Sequence, residues 1–111
     1  MLQIRCEDRI AILRIDRPER RNAIGTELVE SLRHAFVEFN RDPAIGALVI
    51  EASPPGFCAG SDLKELAGMN LDGMRRHEAA AAAMARSIGL LDKPVIAAVE
   101  GFALGGGFIL A

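Results

Sequence analysis

What this sequence has little of limits it first. Only two cysteines occur, Cys6 and Cys58, far apart, in no CxxC pair and with no histidine at metal-ligand spacing. Neither a zinc site nor a disulfide framework is expected from them, no other metal centre is indicated, and a reduced cytoplasm suits such thiols. No apolar run approaches the roughly 18 residues that span a bilayer. The opening stretch carries Arg5, Glu7, Asp8 and Arg9, which is wrong for a signal peptide. The formal charge is only −2 and the cations form no stripe, so binding along a nucleic-acid backbone is disfavoured. Fixed-period repeats and low-complexity linkers are also missing. A chain of 111 residues, 50% apolar and 25% charged, then reads as at most one domain, soluble and intracellular, with no membrane or nucleic-acid partner.

What is present is an alternation of strand and helix signals. Leu2 to Cys6 and Ile10 to Ile15 alternate apolar and charged residues around Glu7-Asp8-Arg9, predicting a hairpin with one wet face. Arg17-Pro18 ends the second strand. From Thr26 the period changes: Leu28, Val29, Leu32, Ala35, Phe36 and Phe39 make one helical stripe, with Gly25 or Thr26 as cap and Asp42-Pro43 as stop. Ala47 to Glu51 is short, continuous and β-branched, as a strand covered on both faces should be. Ser53-Pro54-Pro55-Gly56 forces a turn, and Phe57 to Leu66 must leave a loop and start a short helix.

Leu71 to Leu91 is the longest helical candidate, with Met74, Ala81, Met84, Ile88 and Leu91 on one stripe. Lys93-Pro94 breaks it, Val95 to Val99 gives a second buried strand, and Gly101 to Gly107 returns to a helix start. The expected class is α/β, with helices between strands.

Both buried strands run into a glycine-bearing turn that opens a helix. Helix starts present N–H groups without internal partners and the positive end of a dipole, so they attract negative oxygen. If the two strands are parallel neighbours, the turns at Gly60-Ser61 and at Gly106 lie side by side, and two donors can converge on one oxygen. Glycines also serve tight helix–sheet packing, and the pattern alone leaves both readings open. A dinucleotide fold is disfavoured, because Gly101-Phe102-Ala103-Leu104-Gly105 is not GxGxxG, and no Walker Gly-Lys-Ser/Thr ending is present.

Three motifs, in order and covering nearly the whole chain, resemble the enoyl-CoA hydratase/isomerase (crotonase) family: Asp16-Arg17-Pro18 with Arg21-Asn22-Ala23-Ile24; Phe57-Cys58-Ala59-Gly60-Ser61-Asp62-Leu63; and Lys93-Pro94 through Gly105-Gly106-Gly107. The resemblance implies a spiral of ββα units, here incomplete, with residues 1–111 as its N-terminal part cut off at the start of the helix after the triple glycine. It implies an acyl-CoA enzyme whose substrate thioester oxygen is held by the backbone N–H groups of Ser61 and Gly106, the Ser61 hydroxyl being incidental. Coenzyme A enters as part of the substrate, with no permanently bound cofactor. Ala23, Cys58, Ala59 and Leu63 are implied substrate contacts through backbone groups, with Asp62, Gly107 and Ile109 beside them. Lys64 either reaches a CoA phosphate or is merely solvated. Asp62 is expected to cap a helix rather than act as an acid.

Arg20, Arg21, Arg75, Arg76, His34 and His77 default to solvated positions. Cys58 lacks a paired histidine and is discounted as a nucleophile. The departure from the resembled pattern is Ile109, where hydratases of the family carry a glutamate; isoleucine cannot move a proton. Double-bond isomerisation or other enolate chemistry then stands level with hydration, with a non-catalytic acyl-CoA-binding protein as the alternative. A trimer or hexamer is the assembly implied for the full-length form. The isolated chain is expected to be inactive.

Overall fold

Alternation at the start of the chain produces the expected hairpin. In the computed structural model, which describes Met1–Ala111, β1 (Leu2–Glu7) and β2 (Ile10–Ile15) pair antiparallel. The connection is the two residues Asp8 and Arg9, at φ 47° and 70°, the positive-φ pair that matches hairpin twist. Glu7 therefore belongs to the strand. Ala11, Leu13 and Ile15 are fully buried on one face. Gln3, Arg5 and Arg14 hold the other, where Arg5 and Arg14 meet Glu51 at 2.7 and 3.8 Å.

Arg17-Pro18 ends β2 in one turn of 3-10 helix, Pro18–Arg20, where the sequence indicated only a stop. Arg21 and Asn22 follow in left-handed backbone at φ 53° and 57°. The stripe from Thr26 then forms α1 (Thr26–Arg41), burying Leu28, Val29, Leu32, Ala35 and Phe36. Burial of such side chains contributes roughly 1.5–3 kcal/mol each. At the far end Lys93 Nζ donates to the carbonyls of Phe39 and Asp42, a cation satisfying the negative end of the helix.

The remaining elements are β3 (Ala47–Ala52), α2 (Leu63–Ala67), α3 (Leu71–Gly89), β4 (Val95–Ala97) and α4 (Gly106–Leu110). The sheet order is β1-β2-β3-β4, with β2, β3 and β4 mutually parallel. α1 packs against α3, and the core joins α1 to the inner face of β2 and β3.

Three expectations change. β3 and β4 are not covered on both faces: Leu48 and Ile50 are buried, whereas Ile96 is 57% exposed, because the helices of this chain lie on one side only. β4 ends at Ala97 rather than Val99, since the chain turns away towards Gly101 at φ 68°. On α3 the buried stripe passes through His77 and Met84 and leaves Met74 41% exposed. His77, expected in solvent, is 3% exposed; counting histidine as polar shifted the stripe by one turn.

Beyond the main sheet lies a second set of parallel pairings. Ile24 bridges Ser61 and Cys58 bridges Ala103, supported by Ile24 N to Gly60 O at 2.7 Å, Asp62 N to Ile24 O at 3.0 Å and Leu104 N to Cys58 O at 3.0 Å. Each parallel strand is thus followed by a short bridging segment and then a helix, three times over. The main strands start at Ile10, Ala47 and Val95, at unequal spacing, which is why no repeat is visible in the sequence.

Candidate functional site

The second layer brings two helix starts together. Ser61 ends the bridging segment before α2, and Gly106 opens α4 after its own. Gly60 sits at φ 95°, and a Cβ there would lie 2.8 Å from Leu104 O and 3.3 Å from Gly106 N. Main chain packs directly on main chain at this contact, which only glycine permits. Neither Ser61 N nor Gly106 N donates a hydrogen bond within the chain. Two uncommitted amides therefore stand at adjoining turns.

Cavities lie to either side of them. One, of about 730 Å³, is lined by Ala23, Ala59, Leu63, Lys64, Arg20 and Arg21 together with Ser61 and Gly106. The other, of about 220 Å³, is lined by Ile24, Ile109 and the α3 residues Ala81, Ala82 and Ala85, again with Ser61 and Gly106. The first carries three cations, Arg20, Arg21 and Lys64, against the acids Glu19 and Asp62; the second is mostly apolar, with His77 and Glu78 on its wall. The apolar one continues past Met84 and Ile109 into a space of about 230 Å³ lined by Ile88 and Leu110. A separate groove of about 510 Å³ between β1 and α1 is lined by Glu27, His34 and Glu38 and includes neither of the two amide-bearing turns.

The residues singled out from sequence are distributed unevenly over this site. Ser61, Gly106, Ala23, Ala59, Leu63 and Lys64 all reach the larger cavity, and Ile109 reaches the apolar one. Cys58 and Gly107 lie behind the wall. Cys58 is fully buried, and a Cβ on Gly107 would collide with the Cys58 carbonyl. Burial pushes the Cys58 thiol up, against the opposing N–H of Gly60, so it is held as the unreactive thiol.

Asp62 is the cap of α2, accepting from Lys64 N at 3.1 Å and Glu65 N at 3.3 Å. It also takes Arg17 Nη2 at 2.8 Å, with Arg20 at 4.0 Å. Burial alone would raise its carboxyl, but the Glu65 N–H and the Arg17 guanidinium outweigh that and hold it below the usual carboxylate range.

Several functional positions were not read from the sequence. Arg17 anchors Asp62 and also donates to Ala23 O at 3.0 Å. Asn22, fully buried, accepts from Arg17 N at 2.8 Å and donates to Ser53 O and Gly56 O at 2.7 Å each, tying the first motif to the turn after β3. Glu65 accepts from the backbone and hydroxyl of Thr26, capping α1 from α2 in place of the Gly25 side chain that does not exist. Those Thr26 bonds hold the Glu65 carboxyl below its ordinary value. Arg20 and Arg21 line the larger cavity instead of standing free. The signal for Arg17 and Asn22 was their place in the first motif; for Glu65 no local signal exists.

No helix is long and apolar enough to cross a membrane, and no cluster of His, Cys, Asp or Glu is placed to hold a metal ion.

Comparison with known proteins finds relatives over nearly the whole chain. A family model described as enoyl-CoA hydratase/isomerase matches residues 5–111. A probable enoyl-CoA hydratase of Rhizobium meliloti is 37% identical over 99% of this chain and 42% of its own length. A crotonyl-CoA hydratase of Syntrophomonas wolfei is 38% identical over 95% and 41%. Among solved structures, a Pseudomonas aeruginosa protein superposes with a TM-score of 0.92 at 40% identity, over 99% of this chain and 48% of the other. An enoyl-CoA hydratase from Bacillus anthracis gives 0.93 at 29%, over 98% and 43%. The chain spans about two fifths of the length of the curated relatives it matches.

Proposed function

The chain belongs to the enoyl-CoA hydratase/isomerase family, and from that premise we propose that it forms the thioester-holding part of an acyl-CoA enzyme. The thioester carbonyl oxygen accepts hydrogen bonds from Ser61 N–H and Gly106 N–H, and the enolate-like charge that develops on it is stabilised there. One such preorganised donor is worth on the order of 3 kcal/mol in the transition state. What supports this reading above all is the pair of uncommitted amides opening onto both cavities.

The division of the site follows from its walls. Coenzyme A, carried in as part of the substrate, runs through the polar cavity past Ala23, Ala59 and Leu63, with Lys64 at its phosphates. The acyl group enters the apolar cavity beside Ile109. Asp62 holds the Ser61 turn in place, and Cys58 and Gly107 back it by packing. Ile109 supplies no acid, which weighs against two-carboxylate hydration and sets double-bond isomerisation or other enolate chemistry level with it. We read residues 1–111 as the N-terminal part of a longer spiral domain, cytoplasmic, trimeric or hexameric, and active only when complete.

The test uses the full-length protein with crotonyl-CoA and a 3-enoyl-CoA. Turnover is expected, and replacing Ser61 by its α-hydroxy acid, which exchanges the N–H for an ester oxygen and also weakens the Gly60 carbonyl that accepts from Ile24 N, should slow it about 10²–10³-fold. An unchanged rate overturns the assignment of the donors. Tight thioester binding with no turnover of either substrate instead establishes the second reading, a non-catalytic acyl-CoA binder, which Ile109 also favours.

A further inference from the structure

Among the buried polar side chains, Asn22, Ser53 and Asp62 are all engaged by hydrogen bonds, and His77 is not. It is 3% exposed, and its Nδ1 is wholly covered and without a partner. A covered polar atom left unpaired is a net cost to a fold and requires an explanation. His77 lies on the wall of the 220 Å³ cavity, together with Ser61 and Gly106. Past the neighbouring Glu78, the rest of the α3 wall, Ala81, Ala82, Met84 and Ala85, is apolar. At about 1.5 Å per residue, α3 thus presents a polar end at His77 and Glu78 and an apolar run of about 6 Å from Ala81 to Ala85.

Nδ1 is the ring nitrogen that is covered and partnerless, and His77 lies on the cavity wall, so Nε2 is the nitrogen left to meet a ligand there. The nearby Glu65 carboxylate feels His77 but spends its hydrogen bonds on Thr26. The one carboxylate on the wall, Glu78, is exposed.

We propose that His77 is a specificity-determining contact of the acyl cavity, donating from Nε2 to an oxygen carried on the acyl chain, so that the site selects oxygenated acyl thioesters over plain alkyl ones. This rests on the thioester reading above. It goes beyond that reading by naming the substrate class.

Pentanoyl-CoA and 4-hydroxybutyryl-CoA differ by a hydroxyl in place of a methyl, and titration calorimetry of both on the full-length protein reads the preference directly. The hydroxylated probe should bind at least about tenfold tighter, since a site built to hydrogen-bond a substrate rejects the analogue lacking the group. His77→Leu should abolish that preference while keeping pentanoyl-CoA within about threefold, which also reports that the cavity is intact. His77→Gln, which retains a donor, should restore part of it. Equal affinity for the two probes, or a preference that survives His77→Leu, overturns the proposal and leaves the thioester reading standing. If neither probe binds better than free coenzyme A, the thioester reading fails and takes this proposal with it.

Discussion

Replacing Asp62 by asparagine removes one charge and keeps the shape, which isolates what the Arg17–Asp62 pair contributes. The two side chains are 15% and 6% exposed and 2.8 Å apart, so the pair is largely withdrawn from water. Removing one member of a buried pair typically costs about 3–5 kcal/mol, because the other charge is left uncompensated. The asparagine oxygen still accepts from Lys64 N and Glu65 N, so most of the cap, worth about 1 kcal/mol, survives. Arg17 is partly exposed and keeps its bond to Ala23 O, which places the expected loss near the lower bound, about 3 kcal/mol. With a urea m-value of about 2 kcal/mol/M, the unfolding midpoint should fall by about 1.5 M. Arg17→Met added to Asp62→Asn should recover part of that loss, since the orphaned charge is gone. A single-variant loss below about 0.5 kcal/mol, or a double variant that is the sum of both single losses, would refute the claim that this pair holds the Ser61 turn.

Asp62 and Glu65 are both held below the ordinary carboxylate range, so their contribution to stability is complete above about pH 4–5. It is lost as pH falls through their lowered folded-state values, because the unfolded chain takes up protons first; Glu65→Gln should flatten the acid limb of stability against pH, and an unaltered limb counts against the cap. Cys6 is exposed and Cys58 buried, so iodoacetamide should label Cys6 alone in the folded protein, as mass mapping would show; early labelling of Cys58 contradicts the packed wall. Lys64→Ala should weaken CoA thioesters by about tenfold while leaving N-acetylcysteamine thioesters, which lack the phosphates, within about twofold; equal loss for both removes Lys64 from phosphate binding.

What the sequence revealed depended on how local the cause was. The α1 stripe, the hairpin and the short helix capped by Asp62 follow from periodicity and capping within a few residues, and all three form as expected. Parallel pairing of β3 with β4, posed from the sequence only as the condition for the two turns to meet, is observed. His77 escaped because a polar residue on a helical stripe reads as solvent-facing until the neighbouring wall is known. Glu65 escaped for a different reason: it caps a helix 39 positions away, and no window along the chain spans that distance. The missing cover on the outer face of β3 and β4 could not be read either, since a continuous apolar run is the same whether one face or two are packed.

The seam where Gly60 lies against Leu104 and Gly106 has no side chain in it. A groove walled by side chains can be widened or narrowed by exchanging them, but this one has nothing to exchange, and its width is set by peptide geometry alone. On the proposed reading, adjustment to a different acyl group falls instead to Ala81, Ala82 and Ala85, where each added methylene would shorten the 220 Å³ cavity without disturbing the amides. The proposed grip would then be fixed and the proposed chamber adjustable, two separate parts of one scaffold.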